Sequence, residues 1–196
     1  MALLNGLLKP FQLWNDAVLP IGRWVSIAAI ALMVFAILIQ VFFRYVLNAA
    51  LPWPDEAARF MMLWLTGLMA PIAFRQGGFV AIDMVVQAMP AKIGEIVSLF
   101  LLFISAGVLA MAISIGWSEV TGFGGKFATA ALYVPAALDF SEWFRVPRSW
   151  MMASLLVGVI LLLIVNIELI LRAIISMMGG GDGLKDLAPE DDIIAE

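Results

Sequence analysis

Four long apolar stretches without a single Asp, Glu, Lys or Arg run through this chain, at residues 24–43, 60–74, 96–118 and 149–167. A helix rises about 1.5 Å per residue, so roughly 20 apolar residues cross a hydrocarbon core about 30 Å thick. The first, third and fourth stretches meet that length directly. The second has 15 uncharged residues, and a helix from Pro54 to Arg75 lengthens it to 22. The pattern predicts an all-α integral membrane protein with four transmembrane helices, over about 22–47, 54–75, 92–118 and 149–170. Long helices with charged flanks exclude a transmembrane barrel, whose strands alternate apolar and polar residues. The first stretch begins beyond residue 20 and is too long for the apolar part of a cleaved signal.

Outside the spans the pattern changes. Asn5, Lys9, Gln12 and Asp16 fall three and four apart, opposite Leu4, Leu8, Phe11 and Trp14 or Val18, which predicts an amphipathic interfacial helix over residues 1–20. Pro10 is a potential break in it. Gln40, Arg44 and Asn48 share one face at the end of the first span. After Pro52 and Trp53, Pro54 suits a first helical position, with Asp55 and Glu56 in a first turn that favours carboxylates and Arg59 within reach of both. Arg75-Gln76-Gly77-Gly78 reads as a turn, and residues 79–89, with Asp83, form an apolar piece too short to cross.

Ala106, Ala110 and Ser114, and Ala112 and Gly116, are small residues four apart, a spacing that lets helices approach closely in lipid. Residues 119–148 make the longest connection, with Trp117, Trp143 and Trp150 near its ends as an aromatic belt would place them. Beyond Gly179 the tail has six acidic residues against one Lys, a composition expected to stay disordered and solvated over 179–196.

Composition narrows the chemistry. The 196 residues contain no Cys and no His, which removes thiolate and imidazole ligands, disulfides and the usual general base. No catalytic group, cofactor or metal site is expected. Lys and Arg are scattered singly, so nothing points to nucleic acid. An even span count puts both termini on one side, but the two sides carry six and five Lys and Arg, and a difference of one does not orient the chain.

Ionisable residues inside a span are costly and usually mark a pathway. Here the span middles have none, and Gln40 and Asn166 lie towards span ends, where interhelical hydrogen bonding is the common role. Nor is there an inverted repeat or a pair of broken helices. The spans suit lipid and other helices. The alternative is a self-sufficient four-span transporter acting as a dimer, for which Glu168 is the nearest proton-coupling carboxylate, with Arg172 one turn on. Arg44, Asn48, Asp55, Glu56 and Arg59 must gather at one membrane face, where a pair between Arg44 and Glu56 would join two helix ends.

The ordered series Arg44-Tyr45-x-x-Asn48, Trp53-x-x-Glu56-x-x-Arg59, Trp64, Arg75 and Gly77-Gly78-Phe79-Val80-Ala81-Ile82-Asp83 resembles the small membrane subunit of tripartite ATP-independent periplasmic (TRAP) transporters, the DctQ-type family. Thr129-x-x-Leu132-Tyr133-Val134-Pro135 is similar to the segment before that family's last span. The resemblance covers roughly residues 22–172. It implies two protein partners: a large multi-span subunit holding the substrate and sodium sites, and a periplasmic binding protein that delivers an organic acid. It implies that the small subunit is a static scaffold in the bacterial inner membrane with both termini cytoplasmic. Residues 44–59 and 119–148 would then be periplasmic, and Arg44, Asn48, Trp53, Asp55, Glu56, Arg59, Trp64, Arg75 and Asp83 become the structural and interaction residues.

Overall fold

The computed structural model describes residues 2–77, 90–135 and 143–180, together with Leu187. Asp83 and the short piece around it, Asp139, Glu142 and the acidic tail beyond Gly180, other than Leu187, lie outside the described residues. The described chain is α1 (Ala2–Tyr45), α2 (Trp53–Arg75), α3 (Ala91–Thr121), a 3-10 turn (Phe123–Lys126), β1 (Ala128–Pro135), β2 (Trp143–Pro147) and α4 (Arg148–Ile175), which ends in a π turn (Ser176–Gly180). Four helices are long and apolar enough to cross a membrane.

Residues 2–20 and the first span form one unbroken helix, with Pro10 and Pro20 inside it. Each proline removes one backbone donor. What holds the helix together is a single buried seam: Leu8, Asn15, Leu19, Gly22, Ser26, Ala29 and Ala36 are buried at intervals of three, four or seven. Such spacing keeps one stripe facing a neighbouring helix throughout its length. Four of those seven residues are Gly, Ser or Ala, which brings the backbones close. The helix stops at Tyr45. Asn48 takes a left-handed φ of 51° and the Ala49 N–H closes on the Phe43 carbonyl at 3.0 Å. Asn48 therefore turns the chain and does not extend the helical face of Gln40 and Arg44.

α4 is the hub. It packs against α1, α2 and α3, while α1 also packs on α2. Leu19 of α1, Ile72 of α2 and Val165 of α4 meet in one buried cluster, flanked by Met69, Phe74 and Leu169. The tightest crossing joins α2 to α4. A Cβ built on Gly158 would lie 2.7 Å from the Gly67 carbonyl oxygen and 2.8 Å from its Cα, and one on Gly67 would strike the Ser154 carbonyl. On α3, Gly116 is buried and a Cβ there would lie 3.3 Å from Leu156 Cδ1. The Asn166 amide, turned so that both its groups are satisfied, donates to the Leu102 carbonyl at 3.2 Å and accepts from Ser105 Oγ at 3.0 Å. That is the interhelical role expected of it.

The connection between α3 and α4 holds an antiparallel ribbon that the sequence reading did not anticipate. Tyr133 pairs with Arg145, Val134 with Phe144 and Pro135 with Trp143, but the next pair is Ala128 with Pro147. β1 thus has extra residues between its two paired ends, a bulge that turns part of its backbone away from β2.

Candidate functional site

Two polar assemblies are built at opposite ends of the helices. Along α4 a rise of about 1.5 Å per residue separates Arg148 from Glu168 by about 30 Å, the thickness of a hydrocarbon core.

At the Glu168 end, three helices bring charge together. The Glu168 side chain has no solvent exposure. Its Oε2 accepts from Arg75 Nε at 3.0 Å and from Asn15 Nδ2 at 2.6 Å, and its Oε1 accepts from Arg75 Nη2 at 2.9 Å and Arg172 Nε at 3.0 Å. Arg75 reaches on to Asp16 through Nη1 at 2.6 Å. Two carboxylates and two guanidiniums neutralise each other, and the fork of Arg75 grips Glu168 in the bidentate geometry that makes such pairs strong. A charge in this position without its partners would be prohibitively placed. The Glu168–Arg172 helix pair is present as expected. Asn15, Asp16 and Arg75 as its partners are not visible in the sequence pattern, because no local spacing joins helices far apart in the chain.

Beside this network a cavity of about 340 Å³ is lined by Asp16, Leu19, Pro20, Arg23, Arg75 and Leu187 among others. Leu187 of the acidic tail is thus half-buried beside the 16–23 stretch of α1 and the end of α2.

At the other end, Glu56 leaves the first turn of α2 and receives the Ala130 N–H at 2.8 Å and the Ala131 N–H, both from the bulged part of β1. The expected Arg44–Glu56 pair is not formed, since Glu56 is committed to the ribbon. Among the described residues neither Arg44 nor Arg59 makes an ion pair. Arg44 lies 6.0 Å from the ring of its neighbour Tyr45. Asn48, Asp55 and Arg59 are exposed, and Trp53 stands at the start of α2. Trp64 is half-buried against Phe60, and its Nε1 finds no partner among the described residues. The ribbon is tied down further by Thr129 Oγ1 donating to the Val146 carbonyl at 2.8 Å and Arg145 Nη2 donating to the Ala130 carbonyl at 2.7 Å.

Of the sequence-predicted residues, then, Glu56 and Arg75 are the two that anchor assemblies, and they stand at opposite ends of α2. The Thr129–Pro135 stretch supplies the ribbon strand that Glu56 holds. One assembly is closed by mutual neutralisation, the other by hydrogen bonds from the backbone.

The family described as tripartite ATP-independent periplasmic transporters, DctQ component, matches residues 33–175. The chain belongs to the DctQ family. No individual curated protein matches the chain. The DctQ match takes in α1 from residue 33 onward and all of α2, α3, the ribbon and α4. Arg75, Glu168 and Arg172 thus lie within the DctQ region, while Asn15 and Asp16 join their network from the helical segment before it. DctQ proteins are the small membrane component of TRAP transporters, so this is a multi-pass membrane component of a transport system.

Proposed function

We propose that this chain is the static scaffold of a TRAP-type secondary transporter. It braces the large elevator-type subunit and helps dock the periplasmic binding protein during sodium-coupled uptake of an organic acid. One observation carries the reading: the span middles contain no ionisable residue, and the buried charges at the helix ends are consumed in holding α1, α2 and α4 to one another. A body so braced suits an immobile support.

The alternative transporter, working alone as a dimer, would need Glu168 to bind and release protons. Its carboxylate is engaged by Asn15, Arg75 and Arg172, which favours the scaffold reading. The reading also sets the chain in the bacterial inner membrane with both termini cytoplasmic. Glu56, Trp53 and the ribbon then face the periplasm.

The test is co-purification followed by reconstitution. A tagged chain drawn from its native membrane should bring a larger multi-span subunit with it. Proteoliposomes holding both, supplied with the binding protein, should take up carboxylates under an inward sodium gradient, and proteoliposomes holding this chain alone should not. Uptake by the chain alone would sink the proposal.

A further inference from the structure

Between the start of α2 and the ribbon lies a second, larger cleft of about 640 Å³, lined by Pro52, Trp53, Ala131, Leu132, Tyr133 and Trp143 among others. That volume falls within the range that takes a small ligand. Its walls are apolar and aromatic, and its rim has a cation. The Arg145 guanidinium sits 5.3 Å from the centre of the Tyr133 ring and holds the carbonyl of Ala130, both of them lining residues.

We infer that this cleft is a phospholipid site, with an acyl chain between Trp53, Leu132 and Trp143 and the headgroup phosphate on Arg145. Three observations argue for lipid over a protein segment. The ribbon cannot stand far from the bilayer, because β2 ends at Pro147 and α4 begins at Arg148. Arg148 and Trp53 open their helices about 30 Å or more from Glu168 and Arg75 at the other ends, which sets the cleft at the hydrocarbon boundary. Trp and Tyr at that depth are the residues that interfaces select.

Second, the polar groups that would resist an apolar guest are already satisfied. The bulge in β1 exposes two N–H groups beside the cleft, and Glu56 takes both. A strand edge next to lipid needs such closure, because lipid chains offer no hydrogen bonds. Third, Arg145 spends one nitrogen on Ala130, and a guanidinium has five N–H donors in a fork that suits phosphate.

The experiment uses the full chain in vesicles doped with a phosphatidylglycerol bearing a diazirine in its acyl chain, with a diazirine alkane as the second probe. Photolysis should label the 52–53 and 131–133 peptides well above the lipid-facing peptides of α3. Ala131→Trp, which fills the cleft, should cut that labelling several-fold, and Ala128→Trp, outside the lining, should leave it unchanged. Arg145→Gln should lower labelling by the phospholipid but not by the alkane. Labelling spread evenly over the spans and indifferent to Ala131→Trp would overturn the assignment. Equal loss of both probes in Arg145→Gln would overturn the phosphate contact.

Discussion

Arg75 holds Glu168 by both carboxylate oxygens, Nε to Oε2 at 3.0 Å and Nη2 to Oε1 at 2.9 Å, across 93 positions of sequence. Glu168 has no access to solvent and the Arg75 side chain is 11% exposed, so water can replace neither partner. Removing one side of such a pair typically costs about 3–5 kcal/mol. Glu168→Gln leaves the two arginines without their shared anion, and Arg75→Ala leaves the buried Glu168 with Arg172 as its one remaining cation among the described residues. Both should unfold well below the parent in detergent thermal melts. Lys126→Ala, an exposed charge on the 3-10 turn, should melt with the parent.

The α2–α4 crossing makes an independent prediction. Gly67→Ala and Gly158→Ala each push a methyl group into opposing backbone that has no side chain to give way. Overpacking of this kind costs about 1–3 kcal/mol or more. Gly107→Ala, at a position where an added Cβ meets nothing within 4 Å, should be neutral. A melt in which all three behave alike would show that the two helices can part at little cost.

Glu56 tests the ribbon. Exchanging charges with Arg44→Glu and Glu56→Arg should recover nothing, because the two residues do not pair. Glu56→Ala hands the N–H groups of Ala130 and Ala131 to water and removes hydrogen bonds to a charged acceptor, each worth at most about 1.5–3 kcal/mol. Hydrogen exchange at those two amides should speed up while exchange in α2 stays slow. Unchanged protection would mean that Glu56 does not hold the ribbon.

Orientation is open to direct measurement, because the chain has no cysteine. Single substitutions Lys126→Cys and Lys185→Cys, exposed in intact cells to a membrane-impermeant thiol reagent, should label at 126 and not at 185. The reverse would move the ribbon and its cleft to the cytoplasm and remove the basis for binding-protein docking there.

Hydropathy made the four spans legible, because an uncharged stretch of 15–23 residues has few places to go but lipid. The i,i+4 pair of Glu168 and Arg172 was legible for the same local reason. Its partners Asn15, Asp16 and Arg75 were not, since they meet only once α1 lies antiparallel to α2 and α4 in a fixed register. That register had a sequence signal: Gly22, Ser26, Ala29 and Ala36 repeat at three, four and seven, and they continue the phase of Leu8, Asn15 and Leu19. α3 also has small residues four apart, but the tightest backbone approach lies at Gly67 and Gly158. The ribbon escaped notice because Ala128–Leu132 is alanine-rich and bulged, without the two-residue alternation by which a half-buried strand is recognised.

The position of α4 as common partner has a consequence for how the protein is made. Nascent chains emerge at roughly 5–20 residues per second, so Arg75 leaves the ribosome roughly 5–20 s before Glu168 does. During that interval α1 and α2 can pair along the seam, with Asp16 the anion already at hand for Arg75. α3, which packs on α4, has no completed neighbour to hold it. The nascent chain thus passes through a three-span stage in which one guanidinium awaits its main counter-ion, and the last helix to insert closes the whole assembly.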